Sequence, residues 1–245
     1  MQDFIAVLDF GSQYAHLIAK RIRHLGAYTK IFSPSAKENL LQDAKGIVLS
    51  GGPASVYSTD IPIFNSNILN LDLPILGLCY GHQLIAKEFG GAITNTGKGE
   101  FGKAILQQTS DFPLWQNVSF PNKVWMSHQD SVTKCPPDFK VTGVTESGNV
   151  AAMRHRKRRI YTLQFHPEVN DTEQGQKMLD NFINTCEICS KWSMETFIKD
   201  TTERLQQEVG ERKVLMFISG GVDSSVAFAL LNKALGKEKI LGLYI

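Results

Sequence analysis

The chain has 245 residues, 42% hydrophobic and 20% charged, with a formal net charge of +2 at pH 7. That length holds one large or two smaller α/β domains and buries a substantial core, about 70 to 75 per cent of the unfolded surface. The near-neutral charge makes no case for nucleic acid or a membrane surface, no apolar run approaches the roughly 20 residues of a spanning helix, and no basic-then-apolar leader opens the chain, so a cytoplasmic protein is expected.

In chain order, Phe4 to Phe10 and Tyr28 to Phe32 read as strands around a helix on which Tyr14, Leu17, Ile18, Ile22 and Leu25 recur at helical spacing. This alternation predicts parallel strands and right-handed crossovers. Gly46 to Leu49 is a strand running into the turn Ser50-Gly51-Gly52-Pro53, and Leu73 to Leu78 is a strand followed by a helix from Tyr80 to Phe89. Lys103 to Gln107, Lys140 to Thr145 and Val150 to Arg154 are short β runs, read as an antiparallel extension, with Trp125 to Asp130 expected as a loop. The basic run Arg154 to Arg159 reads as a solvated hairpin turn; its alternative is a docking patch for an acidic partner domain or for nucleotide. Ile160 to Phe165 is a strand and Asp171 to Cys186 a helix, with Met178, Phe182 and Ile183 on one face and Asp171 and Gln174 in capping-box positions.

Four cysteines suit a reducing compartment, and Cys186-x-x-Cys189, without a second Cys/His pair, reads as two helix-end thiols; no metal site is expected. Residues 187 to 212 form a joining and docking helix. Val214 to Ile218 is then a strand, Ser219 to Ser225 a loop, Val226 to Leu235 a helix, and Lys239 to Ile245 a strand in which the chain stops. The predicted fold is a doubly wound, mostly parallel α/β sheet with an antiparallel extension, followed by the beginning of a second α/β domain. The boundaries are 1–190, a linker at 191–212, and an incomplete 213–245.

Chemistry concentrates first at Gly77-Leu78-Cys79-Tyr80-Gly81-His82-Gln83. A buried strand that turns abruptly into a helix displays the turning residue, and glycine is wanted two positions before and after it, as in the nucleophile elbow. At a helix N-terminus unpaired N–H groups and the dipole favour a thiolate. The plain alternative is a cysteine filling space beside a tight turn. In His166-Pro167-Glu168 the proline keeps His166 extended, so residues i and i+2 point to one side and a base comes with its carboxylate. Cys79, His166 and Glu168 thus supply nucleophile, base and orienting group. The N–H groups of Gly52 and Tyr80 form an oxyanion hole. Gly-Gly-Pro alone would be merely a turn.

Ser-Gly-Gly-Pro, Gly-Leu-Cys-Tyr-Gly-His-Gln and His-Pro-Glu, in this order and at these separations, resemble the class I glutamine amidotransferases over roughly residues 1 to 190. The resemblance implies that Cys79 attacks the side-chain amide of glutamine, that His166 and Glu168 assist, and that water hydrolyses the glutamyl thioester once ammonia has left. It also implies that Gln83 contacts the glutamine and that the backbone of Ser127 and His128 holds its α-carboxylate and α-amino ends. One departure is Gln129, where relatives commonly carry glycine.

The second motif is Ser219-Gly220-Gly221-Val222-Asp223-Ser224-Ser225 between a strand and a helix, a phosphate cradle of loop N–H groups and helix dipole. It is not the Walker type, and a plain turn with Ser224 as cap is the alternative. It resembles the loop of the N-type ATP pyrophosphatases, which implies ATP binding by all seven residues. An amidotransferase N-terminal to such a loop, with the opening Asp9 to Tyr14, is similar to the glutamine-hydrolysing GMP synthetase family. That implies ATP as substrate with Mg2+, no prosthetic group, xanthosine monophosphate as acceptor, products GMP, AMP, pyrophosphate and glutamate, and a homodimer formed through residues beyond Ile245. Two other functions stay open: a triad amidotransferase or γ-glutamyl peptidase with a different acceptor, and a silent module that senses glutamine or nucleotide.

Overall fold

The computed structural model describes residues 3–52, 55–57, 62–189 and 192–245, with the backbone alone at 96–98; Pro53 of the expected glycine turn lies outside them. The chain divides into two compact units, 1–191 and 192–245.

In the first unit, β1 (Phe4–Leu8), α1 (Tyr14–His24), β2 (Thr29–Phe32), β3 (Ala44–Leu49), β4 (Ile75–Leu78) and α2 (Tyr80–Glu88) alternate strand and helix. There follow β5 (Ala92–Gln108), β6 (Asn122–Lys134), β7 (Phe139–Thr145), β8 (Val150–His155), β9 (Ile160–Leu163) and α3 (Gly175–Thr185). Among the described residues they build one sheet in the order β2-β1-β3-β4-β9-β8-β7-β5-β6. Its first five strands are parallel, and the rest pair antiparallel, as expected of the extension. Period-two alternation sends Ile5 and Val7 to one face, against Ile18 and Ile22 of α1 and Met178 and Phe182 of α3. It sends Phe4, Ala6 and Leu8 to the other, against Leu84 and Ile85 of α2. Both faces are covered, so the parallel strands read as continuous apolar runs.

Two local expectations are corrected and a third is met. Trp125 to Asp130 is not a loop but the middle of β6, because its alternate residues Val124, Met126 and Val132 are core-facing. Helix α3 starts at Gly175 and has no capping box. The Gln174 side chain instead bonds both backbone groups of Ser119 at 3.2 Å, and Asp171 pairs with Lys103 at 3.5 Å, so tertiary partners recruit both capping side chains. The basic run is a hairpin turn between β8 and β9, in which Arg159 is tied to Glu187 at 3.1 Å and Arg158 to the Leu69 carbonyl.

The second unit holds α4 (Met194–Val209), β10 (Val214–Ile218), α5 (Val222–Leu235) and β11 (Ile240–Tyr244), with β10 and β11 parallel. The helix expected as a linker belongs to this unit: Gln206 of α4 donates to the Ala234 carbonyl at the end of α5. Ser193 caps α4 by accepting from the Thr196 N–H at 3.1 Å. Leu215, Phe217, Leu241 and Leu243 of the two strands are each more than half exposed.

Candidate active site

The parallel strands β1, β3, β4 and β9 end on one edge of the sheet, where doubly wound folds place their ligands. At the end of β4, Cys79 has φ 51°, ψ −102°, a left-handed backbone that a non-glycine residue adopts only under constraint. The constraint is visible on both sides. A Cβ at Gly77 would lie 2.6 Å from the Gly81 carbonyl oxygen, and one at Gly81 would lie 2.6 Å from that of Leu49. The elbow closes only because both positions lack side chains. The Cys79 N–H is anchored to the Leu163 carbonyl at 2.8 Å, and the thiol, 6% exposed with its residue, faces the Ser127 carbonyl at 3.6 Å.

His166 follows β9 by three residues. Its N–H donates to the Trp125 carbonyl at 3.1 Å and its own carbonyl accepts from Thr172 Oγ1 at 2.6 Å, so β6 and the turn before α3 hold it at both ends. Nδ1 lies 2.7 Å from Glu168 Oε1; the carboxylate accepts, which puts the proton on Nδ1 and leaves Nε2 for the cavity. Tyr14 packs its ring 4.7 Å from the imidazole. Burial by itself lowers the proton affinity of His166, but hydrogen bonds to Cys79 and Glu168 and the charges on those partners prevail and hold it well above the usual histidine range. Arg21 Nε donates to the Glu168 carbonyl at 2.9 Å.

A cavity of about 550 Å3 opens here. Cys79, His166, Gly52, Tyr80, Gln83, Ser127 and His128, named from sequence, all line it. Glu168 does not; it lies behind His166, on a second cavity of about 400 Å3. Gly51, which sequence reasoning left out, sits between base and nucleophile: a Cβ there would lie 3.3 Å from His166 Cε1 and 3.7 Å from Cys79 Cβ. Gly52 and Tyr80 adjoin, since a Cβ on Gly52 would meet the Tyr80 ring at 3.2 Å. Gln83 Nε2 donates to the Asp130 carbonyl at 2.7 Å and to Gln164 Oε1 at 3.2 Å.

Ser55, Phe101 and Asp130 also line the cavity and were not singled out. For Ser55 and Phe101 no sequence signal exists. Asp130 has one: it is the carboxylate of the Ser-His-Gln-Asp segment, and it accepts from Ser55 Oγ. The Gln129 departure has a physical resolution. Gln129 is absent from the residues with positive φ, so the position makes no demand for glycine. Gly99 on β5 provides the room, since a Cβ there would lie 2.6 Å from the His128 carbonyl oxygen and 2.9 Å from Gln129 Cα.

In the second unit, α5 begins at Val222 rather than Val226, so Val222, Asp223, Ser224 and Ser225 form the first helical turn and Ser219, Gly220 and Gly221 the loop. Gly220 has φ 77°, which favours glycine. Ser224 Oγ donates to the Gly221 carbonyl at 3.0 Å and lies 3.3 Å from Ser219 Oγ.

Residues 6–186 match the family model of glutamine amidotransferase class-I and residues 193–245 that of NAD synthase. The chain is similar to the GMP synthase [glutamine-hydrolyzing] of Campylobacter hominis, 46% identical over 98% of this chain and 48% of that protein. It is 45% identical to that of Staphylococcus aureus strain MSSA476, over 97% of this chain and 47% of the other. The chain therefore spans less than half the length of these relatives. Among solved structures, a Thermoplasma acidophilum protein provisionally assigned as a GMP synthase subunit superposes with a TM-score of 0.67 at 30% identity, over 76% of this chain and 94% of the other.

Proposed function

The chain belongs to the class-I glutamine amidotransferase family, and on that premise we propose that its first unit hydrolyses glutamine and that the whole protein uses the ammonia to convert xanthosine monophosphate to GMP. The observation that carries the reading is Cys79 at a strained elbow, in one cavity with a His166 that holds Glu168 at 2.7 Å. The names of the full-length relatives support the acceptor chemistry.

In this mechanism the raised proton affinity of His166 draws the thiol proton to Nε2. Sγ attacks the side-chain amide carbon of glutamine, and the N–H groups of Gly52 and Tyr80 take the developing oxyanion. Nε2–H protonates the amide nitrogen, the C–N bond breaks and ammonia leaves a thioester. His166 then deprotonates water, which attacks the thioester; glutamate departs and the sulfur recovers the proton. Glu168 holds the tautomer throughout. Gln83 and the Ser127 and His128 backbone hold the amino-acid end, with the Asp130 carboxylate facing its ammonium. The first unit constitutes the glutaminase, and the second, with α4 as its opening helix, the start of an ATP pyrophosphatase domain. Ser219 to Ser225 cradle the phosphates of ATP, which enters as its magnesium complex. The protein works in the cytoplasm as a homodimer; among the described residues no helix is long and apolar enough to cross a membrane.

The test is Cys79→Ser in the full-length protein. Glutamine-dependent GMP formation is lost, whereas synthesis from added ammonia is retained, because the thiol serves only to liberate ammonia. Equal loss of both activities in a folded protein would count against the assignment.

A further inference from the structure

The pairing of β5 with β6 breaks beside the cavity. Asn95 faces Asp130 and Glu100 faces His128, so four residues of β5, 96–99, stand opposite the single residue Gln129 of β6. The Ser127–Asp130 rim therefore lacks a continuous ladder where the cavity needs it rigid. Side chains take over. His128, with a side chain 2% exposed, directs Nδ1 at the Asp130 carbonyl oxygen, 2.9 Å away, and Nε2 at Glu100 Oε2, 3.3 Å away. A carbonyl and a carboxylate only accept, so both ring nitrogens are satisfied together only when both carry protons.

Glu100 is itself held in place against that ring. Its other oxygen accepts from Thr145 Oγ1 at 2.8 Å. Burial raises the affinity of its carboxyl for a proton, but hydrogen bonds from His128, Thr145 and Asn149 and the charge of His128 bring it below the ordinary carboxylate range. His82, wholly buried on α2 with Nδ1 2.8 Å from Thr162 Oγ1, is pushed down to about 3 by burial and by His128. It stays neutral. The Asp130 carbonyl is the node of the arrangement, since it also accepts from Gln83 Nε2 at 2.7 Å.

We infer that Glu100 is a positioning residue for the amino-acid end of the substrate: by holding the His128 ring it sets the Asp130 carbonyl, and through it Gln83 and the rim. The inference rests on the glutamine reading above. Glu100 reaches glutamine only through His128, and neither the attack by Cys79 nor the proton transfer by His166 passes through it. Its loss therefore acts on binding rather than on turnover.

The experiment measures the glutaminase kinetics of full-length Glu100→Gln. A charge-assisted contact is given up, so KM for glutamine rises roughly ten- to hundredfold while kcat stays within about threefold. Alkylation of Cys79 by iodoacetamide, which has no amino-acid end, proceeds at the wild-type rate. Thr145→Val, which keeps the carboxylate but removes its second donor, moves KM in the same direction by less, and provides the same readout should Glu100→Gln fail to fold. A folded Glu100→Gln with unchanged KM overturns the inference alone, as does a fall in kcat that matches the rise in KM. A wild-type protein without glutaminase activity overturns the glutamine reading and this inference with it.

Discussion

His166 is where single-residue energetics are most testable. Its proton is held more tightly in the folded than in the unfolded state, so the stability this contributes is fully present below the ordinary value of about 6.5 and is lost as pH rises through the raised value. Glu168→Gln removes both the carboxylate hydrogen bond and its charge. The variant is therefore expected to lag the wild type most at acidic pH, with the gap in urea midpoint narrowing as pH rises; an equal gap at pH 5.5 and pH 9 would contradict the pairing. In turnover Glu168→Gln is expected to be milder than loss of His166, since an orienting group is partly dispensable and a base is not. Thiol reactivity separates as clearly. The Cys186 thiol is raised by burial to about 12 and that of Cys135 is raised by burial too, so neither supplies thiolate at neutral pH. A chloroketone analogue of glutamine is expected to label Cys79 and spare Cys135, Cys186 and the exposed Cys189, and peptide mapping that finds the label mainly elsewhere would remove Cys79 as nucleophile.

At the scale of elements, the strand-to-helix turn between β4 and α2 depends on two absent side chains. Gly81→Ala places a methyl 2.6 Å from the Leu49 carbonyl oxygen and 2.8 Å from Leu49 Cβ, contacts made by backbone and a packed core residue that cannot swing away. The expected loss is about 1–3 kcal/mol of stability, read from the urea midpoint, together with loss of Cys79 alkylation selectivity because α2 is displaced. Gly148→Ala serves as the comparison. That glycine also has a left-handed φ, 83°, but a Cβ there meets nothing within 4 Å, so its penalty is the backbone conformation alone, about 1–2 kcal/mol, and alkylation is unaffected.

For the whole molecule, the two units differ in how far each closes its own core. In the first, apolar faces on both sides of a long sheet are covered by helices. In the second, two strands support α5 while Leu215, Phe217, Leu241 and Leu243 stay largely exposed, and a two-stranded sheet is marginal by itself. Residues 1–245 expressed alone are therefore expected to hydrolyse glutamine but to form no GMP with ATP, magnesium, xanthosine monophosphate and ammonia, because ATP and purine are not positioned for attack. Release of AMP and GMP is the measurement, and sustained turnover would place the acceptor site within these residues.

What the sequence by itself determined is what short-range physics controls: the apolar runs of β1 to β4 and the helical spacing of α1, the elbow around Cys79, the local pairing of His166 with Glu168 across a proline, and the strand, glycine loop and helix of the second unit. Each depends on neighbours within a few residues, where backbone sterics and spacing suffice. Tertiary structure decided the rest. Gln174 and Asp171 carry a capping pattern, yet distant partners claimed both. Trp125 to Asp130 looked like a loop because its polar residues serve a cavity, while the long pairing with β5 makes it a strand. Ser55 and Phe101 reach the cavity, and Glu100 the ring of His128, only because separate segments meet at one edge of the sheet, and the register that brings them there is set by long-range pairing that no local pattern encodes.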